Sequence, residues 1–257
     1  MAEHEDHEAF FRIEGDEVIP APSARGPWSA DMLHGRLLGG LLARAIEREH
    51  AAEGLHVARL TVDLYRNSPL VPLRVTTERV RDGRRIRVAD AAIAGRNGAV
   101  ARASAVMLRR GEQPEGQTWN RPPWDVASPG ELGESMTTGT ALDVWWMGPG
   151  TELSTAERHR AWVRETRPLV AGESLSPFVR VALAADMASP IAHFGSAGLK
   201  FINADYTLGL SRLPLGDVIG LEATGHLSED GVAVGQCALY DLSGPIGFCT
   251  TSALANT

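Results

Sequence analysis

The stretch Arg36-Leu-Leu-Gly-Gly-Leu-Leu-Ala-Arg-Ala-Ile-Glu-Arg-Glu-His50 decides the fold. Leu37, Leu41, Leu42, Ala45 and Ile46 recur at helical spacing, while Arg44, Glu47 and Arg48 fall on another face, so the pattern predicts one amphipathic helix with glycines near its start. The periodicity then switches to that of strands: His56–Tyr65, Leu73–Val80, Arg85–Ile93 and Ala99–Leu108. Turns at Asn67-Ser-Pro69, Asp82-Gly83 and Asn97-Gly98 separate these runs, and the last two are hairpin signatures. A helix followed by an antiparallel meander is the unit.

The unit recurs. Residues 110–150 break the pattern with Pro114, Pro122, Pro123, Pro129 and several glycines, which suits a crossover. Strand-like runs at Asp143–Met147 and His159–Thr166 then lead to a second predicted helix, Pro177–Met187. Strands follow around Leu199–Thr207, Asp217–Thr224, Ala233–Tyr240 and Gly247–Leu254. The expected organisation is an N-terminal repeat over 1–112, a crossover linker over 113–140 and a C-terminal repeat over 141–257. Two antiparallel sheets, each wrapped around a central helix, give an α+β fold, as duplication and fusion of a dimer-forming unit would produce.

Composition narrows the partners. The chain has 257 residues, a formal net charge of −7 and 44% hydrophobic content. No basic stripe exists to neutralise phosphates, so no nucleic-acid partner is expected. Lys200 is the single lysine among 25 basic residues, a sign of arginine-favouring, GC-rich codon usage. The acidic start, Met-Ala-Glu-His-Glu-Asp-His-Glu, lacks the basic and apolar regions of a signal peptide, and no apolar run has the length of a membrane span. A cytoplasmic location is expected. Cys237 and Cys249 are too few for a disulfide scaffold or a zinc site. A hairpin with a three-residue loop, Leu242-Ser-Gly244, would set the two as free thiols opposite one another.

Four segments carry a family resemblance: Gly26-Pro-Trp-Ser-Ala-Asp-Met-Leu-His-Gly35 leading into Gly39-Gly-Leu-Leu-Ala-Arg-Ala-Ile46; Val80-Arg-Asp-Gly83; Leu183-Ala-Ala-Asp-Met-Ala-Ser-Pro190; and Asn203-Ala-Asp205 through the terminal hairpin. In that order they resemble the acyl-CoA thioesterase II type of double hot-dog protein, and more closely its actinobacterial-style thioesterase-like members. The resemblance spans nearly the whole chain. It implies a double hot-dog fold, an acyl-CoA or acyl-carrier thioester of lipid metabolism as substrate, no cofactor, and a further association of two chains into a homodimer. It also implies a water held by an Asp, a Ser or Thr and a Gln from the second repeat. The Asp maps onto Asp205 and the hydroxyl onto Thr224; the third position falls at Thr251 or Ser252, where this chain has no Gln.

Each candidate has a bland reading beside the chemical one. Thioester hydrolysis needs a base near the attacking water and donors aimed at the oxyanion. By alternation Asp205 shares a face with Leu199 and Phe201 and is expected to point toward a helix, although a strand-end Asp also caps loops or pairs with Arg. Thr224 shares its face with Glu222 and His226 unless a bulge reverses the parity. Ser252 is expected inward with Ile246, Phe248 and Leu254, and Thr251 goes with Gly247 and Cys249. His34 precedes the first helix, where the N–H groups of Gly39 or Gly40 would polarise a carbonyl; alternatively His34 anchors a loop and the glycines allow close packing. Arg36 is expected either to bind an acidic group or to face water. Asp186, on the second helix, is a candidate to hydrogen-bond near the site, and Asp63 is the first-repeat counterpart of Asp205.

Other chemistries fit less well. His4, His7, His50, His56 and His159 lack metal-ligand spacing, and Trp145 and Trp146 read as core. No Gly-x-Ser-x-Gly elbow, phosphate loop or dinucleotide fingerprint occurs. The functional expectation is a thioester hydrolase with water oriented by Asp205. Its rival is a non-catalytic acyl-CoA or acyl-carrier-protein binder that has lost the full water-holding triad, and a hot-dog hydratase or dehydratase would need a paired His and Asp.

Overall fold

The computed structural model describes residues 8–27, 29, 31–122, 124–138, 141–147 and 157–256; His4 and His7 lie outside them. A hairpin of β1 (Phe11–Glu14) and β2 (Glu17–Pro20) precedes helix α1 (Gly35–His50) and strands β3 (Leu55–Leu64), β4 (Arg74–Asp82), β5 (Ile86–Gly95) and β6 (Gly98–Arg109). The stretch expected as a crossover carries a short helix, α2 (Pro129–Leu132), and β7 (Met136–Thr138). Then come β8 (Leu142–Met147), β9 (Arg160–Glu165), helices α3 (Pro177–Ala185) and α4 (Ala188–His193), and a small hairpin of β10 (Phe194–Gly195) and β11 (Gly198–Leu199). The chain ends with β12 (Phe201–Asn203), β13 (Asp205–Leu210), β14 (Val218–Glu229), β15 (Val232–Asp241) and β16 (Gly244–Ala255).

Twelve of the strands form one antiparallel sheet in the order β4-β5-β6-β3-β13-β16-β15-β14-β9-β8-β7, with β12 beside β16, while β1–β2 and β10–β11 stay separate hairpins. The sheets of the two halves therefore meet edge to edge at β3 and β13, where Asp205 lies directly opposite Asp63. This pairing removes two exposed strand edges at once. Helix α1 packs on β3 to β6 and against α3, and α4 packs on β14 to β16. Leu37, Leu41, Leu42 and Ile46 are 1% exposed or less, as the helical spacing requires. Each such aliphatic side chain contributes about 1.5–3 kcal/mol by leaving water.

Local chemistry explains the turns. Asp230 and Gly231 both take positive φ, 49° and 78°, and close the β14–β15 hairpin, a conformation that Asp-Gly tolerates well. Cys237 and Cys249 face one another across β15 and β16 as free, buried thiols. The loop that aligns them is shorter than expected: Asp241 pairs with Gly244, leaving Leu242-Ser243, and a bulge at Leu239/Tyr240 supplies the extra residue. Trp145 belongs to a small core with Trp162, Val218 and Tyr240, against which Trp124 stacks. Among the described residues no helix is long and apolar enough to cross a membrane.

Candidate active site

The second helix does not run on as its spacing suggests. It stops at Ala185, Asp186 takes the C-cap, and a new helix starts at Ala188. Pro190 lies in the first turn of that new helix, where its missing N–H costs no bond. The break leaves the Asp186 side chain buried, 7% exposed, rather than on the surface. Its Oδ1 accepts a hydrogen bond from Asn203 Nδ2 at 2.9 Å, and its Oδ2 lies 3.9 Å from His34 Nδ1. Burial raises the carboxyl's pKa above the ordinary value, against the opposing pull of the Asn203 bond and the Arg36 charge.

His34 is the N-cap of α1, and its Nδ1 accepts from the Arg36 backbone N–H at 3.4 Å. Its own N–H donates to Ala24 O, so the residue anchors the loop as well. Burial, reinforced by the Arg36 charge, pushes its pKa well below 6.5 and keeps the ring neutral. With Nδ1 accepting, the proton sits on Nε2 and makes that atom a donor. His34, Asp186 and Asn203 line a cavity of about 810 Å³ together with apolar Pro27, Met187 and Leu199. A neutral donor, a buried carboxylate and an apolar wall can bind a thioester and hold a water beside it.

The other expected residues fall elsewhere. Asp205 does not point toward a helix. The register steps by one between Asn203↔Ala253 and Thr207↔Thr250, so Tyr206, fully buried, takes the inward position. Asp205 Oδ1 instead accepts from the Ser252 backbone N–H at 2.7 Å, filling a rung that the step leaves open. Ser252 is likewise not in the inward set. Cys249, Thr251 and Ala253 are 0–4% exposed while Phe248 and Leu254 are about half exposed, because the bulge near Tyr240 shifts the alternation. Thr224 is the extra residue of a bulge between Ala223 and Gly225, and its Oγ1 donates to Gln236 Oε1 at 3.1 Å. Thr251 Oγ1 meets His193 Nε2 at 3.0 Å. The bonds of Asp205, Thr224 and Thr251 thus run to different partners, the Ser252 N–H, Gln236 and His193.

Gly39 and Gly40 are structural. They are the fifth and sixth residues of α1, past the N–H groups that a helix leaves unpaired. A Cβ on Gly39 would come within 2.1 Å of the Tyr206 hydroxyl, and one on Gly40 within 2.5 Å of Leu183 Cδ2. Arg36 is neither free nor solvated: it is fully buried and ion-paired to Glu165. Asp63 is bound to Arg102 Nε at 2.7 Å. Asn203 carried no signal of its own in the sequence beyond its place in Asn203-Ala-Asp205, where the carboxylate drew the attention.

The fold and the cavity define a class, that of double hot-dog proteins. Two family models match the chain, the acyl-CoA thioesterase N-terminal domain over residues 24–108 and the acyl-CoA thioesterase C-terminal domain over residues 105–255. The chain belongs to the acyl-CoA thioesterase family, whose family-level activity is thioester hydrolysis. Among solved structures it is similar to a tesB protein of Mycobacterium avium subsp. paratuberculosis, at 13% identity and TM-score 0.71, with 96% of each chain covered. It is also similar to acyl-CoA thioesterase II TesB2 of Mycobacterium marinum, at 13% identity and TM-score 0.64, over 95% of this chain and 93% of that one. A conserved hot-dog protein of Alicyclobacillus acidocaldarius superposes with TM-score 0.74 at 14% identity, covering 100% and 99%. At these identities the likeness concerns the fold. Comparison with curated protein sequences gave no match.

Proposed function

We propose that this chain is a cytoplasmic acyl-thioester hydrolase of lipid metabolism in which Asp186, rather than Asp205, orients the attacking water. The observation that carries the reading is the buried Asp186 carboxylate, fixed through Oδ1 by Asn203 and open through Oδ2 toward His34 at the edge of an apolar cavity. Asp186 accepts the water's proton as the oxygen attacks the thioester carbonyl. His34 Nε2–H donates to the oxyanion. The carbon–sulfur bond then breaks, and the proton passes from Asp186 to the departing thiolate, giving acid and thiol. A raised carboxyl pKa brings the base closer to the working pH, which favours this proton transfer. The acyl chain lies along Met187 and Leu199. The two repeats, 1–112 and 141–257 with their crossover over 113–140, supply His34 and Asp186 respectively.

Thiol release from a panel of acyl-CoAs tests the assignment. Asp186→Asn should lower kcat by about 100-fold or more, in the range of general-base loss, while Asp205→Asn stays within about threefold of wild type. Equal rates for Asp186→Asn and wild type would remove Asp186 from the reaction. One observation favours a second reading, an acyl-CoA or acyl-carrier-protein binder without turnover: Thr251, one of the two positions at which the resemblance expects Gln, has its hydroxyl bonded to His193. Tight ligand binding with no thiol released would select it.

A further inference from the structure

Asp186 sits at a break between two helices, and such a break has to be held from outside. The last turn of an α-helix leaves carbonyls that no following turn supplies with N–H groups. Around the end of α3 two carbonyls are met by the backbone: Ala184 O accepts from the Met187 N–H at 3.0 Å, and Asp186 O from the Ser189 N–H at 3.2 Å. Others are met by side chains of the strands. The Tyr206 hydroxyl of β13 donates to Ala182 O at 2.9 Å, and the Cys249 thiol of β16 donates to Ala185 O at 3.5 Å, with Thr250 O as a longer alternative at 3.8 Å. Just past the break, the Cys237 thiol of β15 donates to Ala188 O at 3.5 Å.

All three donors are fully buried. Burial raises the pKa of each above its ordinary value, so each keeps the proton that it donates. The same burial makes the thiols poor nucleophiles, and the hydrolysis reading gives them no task. Their placing is specific. Cys237 and Cys249 are register partners across β15 and β16, so the pair presents two donors side by side to carbonyls on either side of Asp186. Tyr206 reaches its carbonyl through space that Gly39 of α1 leaves open. The first half of the chain makes the room, and the second half supplies the donors.

We propose that Tyr206, Cys249 and Cys237 are positioning residues that clamp the two ends of the helix break and so hold the Asp186 carboxylate in place beside Asn203 and His34. All three lie outside the lining of the cavity and act through Asp186 alone. Their effect on rate rests on the thioesterase reading; their effect on the place of Asp186 does not.

Tyr206→Phe removes the hydroxyl and keeps the ring, Cys249→Ala removes the thiol, and Cys249→Ser keeps a donor. In an acyl-CoA hydrolysis assay Tyr206→Phe should lower kcat about tenfold with KM within about twofold, the worth of one buried hydrogen bond passed on to the reacting geometry. Cys249→Ala should lower kcat about threefold, since a thiol is a weak donor, and Cys249→Ser should recover most of that. Ile93→Val, in the core of the first half, loses a buried methyl of similar worth to stability and should leave kcat unchanged. The side-chain amide of Asn203, followed by ¹⁵N NMR, reports its carboxylate partner without any turnover. Its resonances should move in Tyr206→Phe and Cys249→Ala and stay in place in Ile93→Val. Unmoved Asn203 resonances in the first two variants, or an equal fall of kcat in Ile93→Val, overturn the clamp. Moved resonances in a protein that releases no thiol from any acyl-CoA uphold the clamp and overturn the enzymatic reading instead.

Discussion

Helix α1 and the α3–α4 pair hold comparable places under the two halves of the sheet, yet the first runs 16 residues unbroken and the second stops after nine. The difference teaches where the site comes from. An unbroken helix satisfies its backbone internally and presents only packing, here through Gly39 and Gly40. A broken one creates a C-cap in the interior, and Asp186 occupies it with a carboxylate that accepts from the Asn203 side chain. The first half contributes the start of its helix to the same cavity through His34, so the site joins one helix's beginning to the other's interruption.

The close fit of the unbroken helix is the easiest part of this contrast to break. Gly39→Ala places a methyl 2.1 Å from the hydroxyl of Tyr206, which is itself fully buried and donates to Ala182 O. Neither the helix nor the strand can yield cheaply, so the variant should lose about 3 kcal/mol, at the upper end of ordinary overpacking. Chemical denaturation measures it. A loss below about 0.5 kcal/mol, the size of a neutral surface change, would show that Tyr206 swings aside and that α1 is not held by this contact.

Both helices end in a buried histidine, and here the two halves differ again. His50 has no hydrogen-bond partner for either ring nitrogen among the described residues, whereas both nitrogens of His193 are engaged. Burial, with help from His226, pulls the pKa of His193 down to about 4. The unfolded chain therefore takes up a proton first as the pH falls below 6.5. Stability contributed by neutral His193 is complete above that value and is lost as the pH falls toward 4. Between pH 7.5 and 5 the loss should be about 2 kcal/mol, seen as a lower urea midpoint. His34 and His50, also shifted down, slope the same way, and Asp186, shifted up, opposes them near and above 3.8. His193→Gln should remove the His193 share of the slope and leave that of His34 and His50; an unchanged slope would assign it to the other two histidines.

The sequence made the repeated helix and meander legible because periodicity and turn residues act locally: α1 begins one residue before the predicted stretch, Asp230-Gly231 closes one hairpin, and Arg96-Asn97, one residue before the expected Asn97-Gly98, closes another. The site was legible only in part. His34 and Asp186 stood among the candidates, but the resemblance gave the carboxylate role to Asp205 and alternation turned it inward, and alternation fails wherever a register step intervenes. No glycine or proline marks the step at Ala204, since the side chain of Asp205 itself repairs the ladder. The helix break did leave a mark, Pro190, which cannot sit deep within a continuing helix. Asn203 stayed invisible because its meaning lies in a partner 17 residues away.

The smallest expected effect separates the two strand aspartates that face one another across the joint between halves. Asp205 and Asp63 are register partners, so symmetry alone would make them equivalent. Their bonds are not. Asp63 holds Arg102, whose side chain is 63% exposed, and exposed ion pairs contribute little, so Asp63→Ala should cost no more than about 0.5 kcal/mol and should cost less still in high salt. Asp205 satisfies the Ser252 N–H inside the sheet, and Asp205→Ala leaves that donor without its acceptor at a cost of about 1–2 kcal/mol, insensitive to salt. Asp205→Asn keeps a carbonyl oxygen in place and should recover most of the loss. Recovery by Asn with thioester hydrolysis intact in all three variants would make Asp205 a sheet residue. A loss of hydrolysis in Asp205→Asn at unchanged stability would return the strand carboxylate to the chemistry and dissolve the contrast with Asp186.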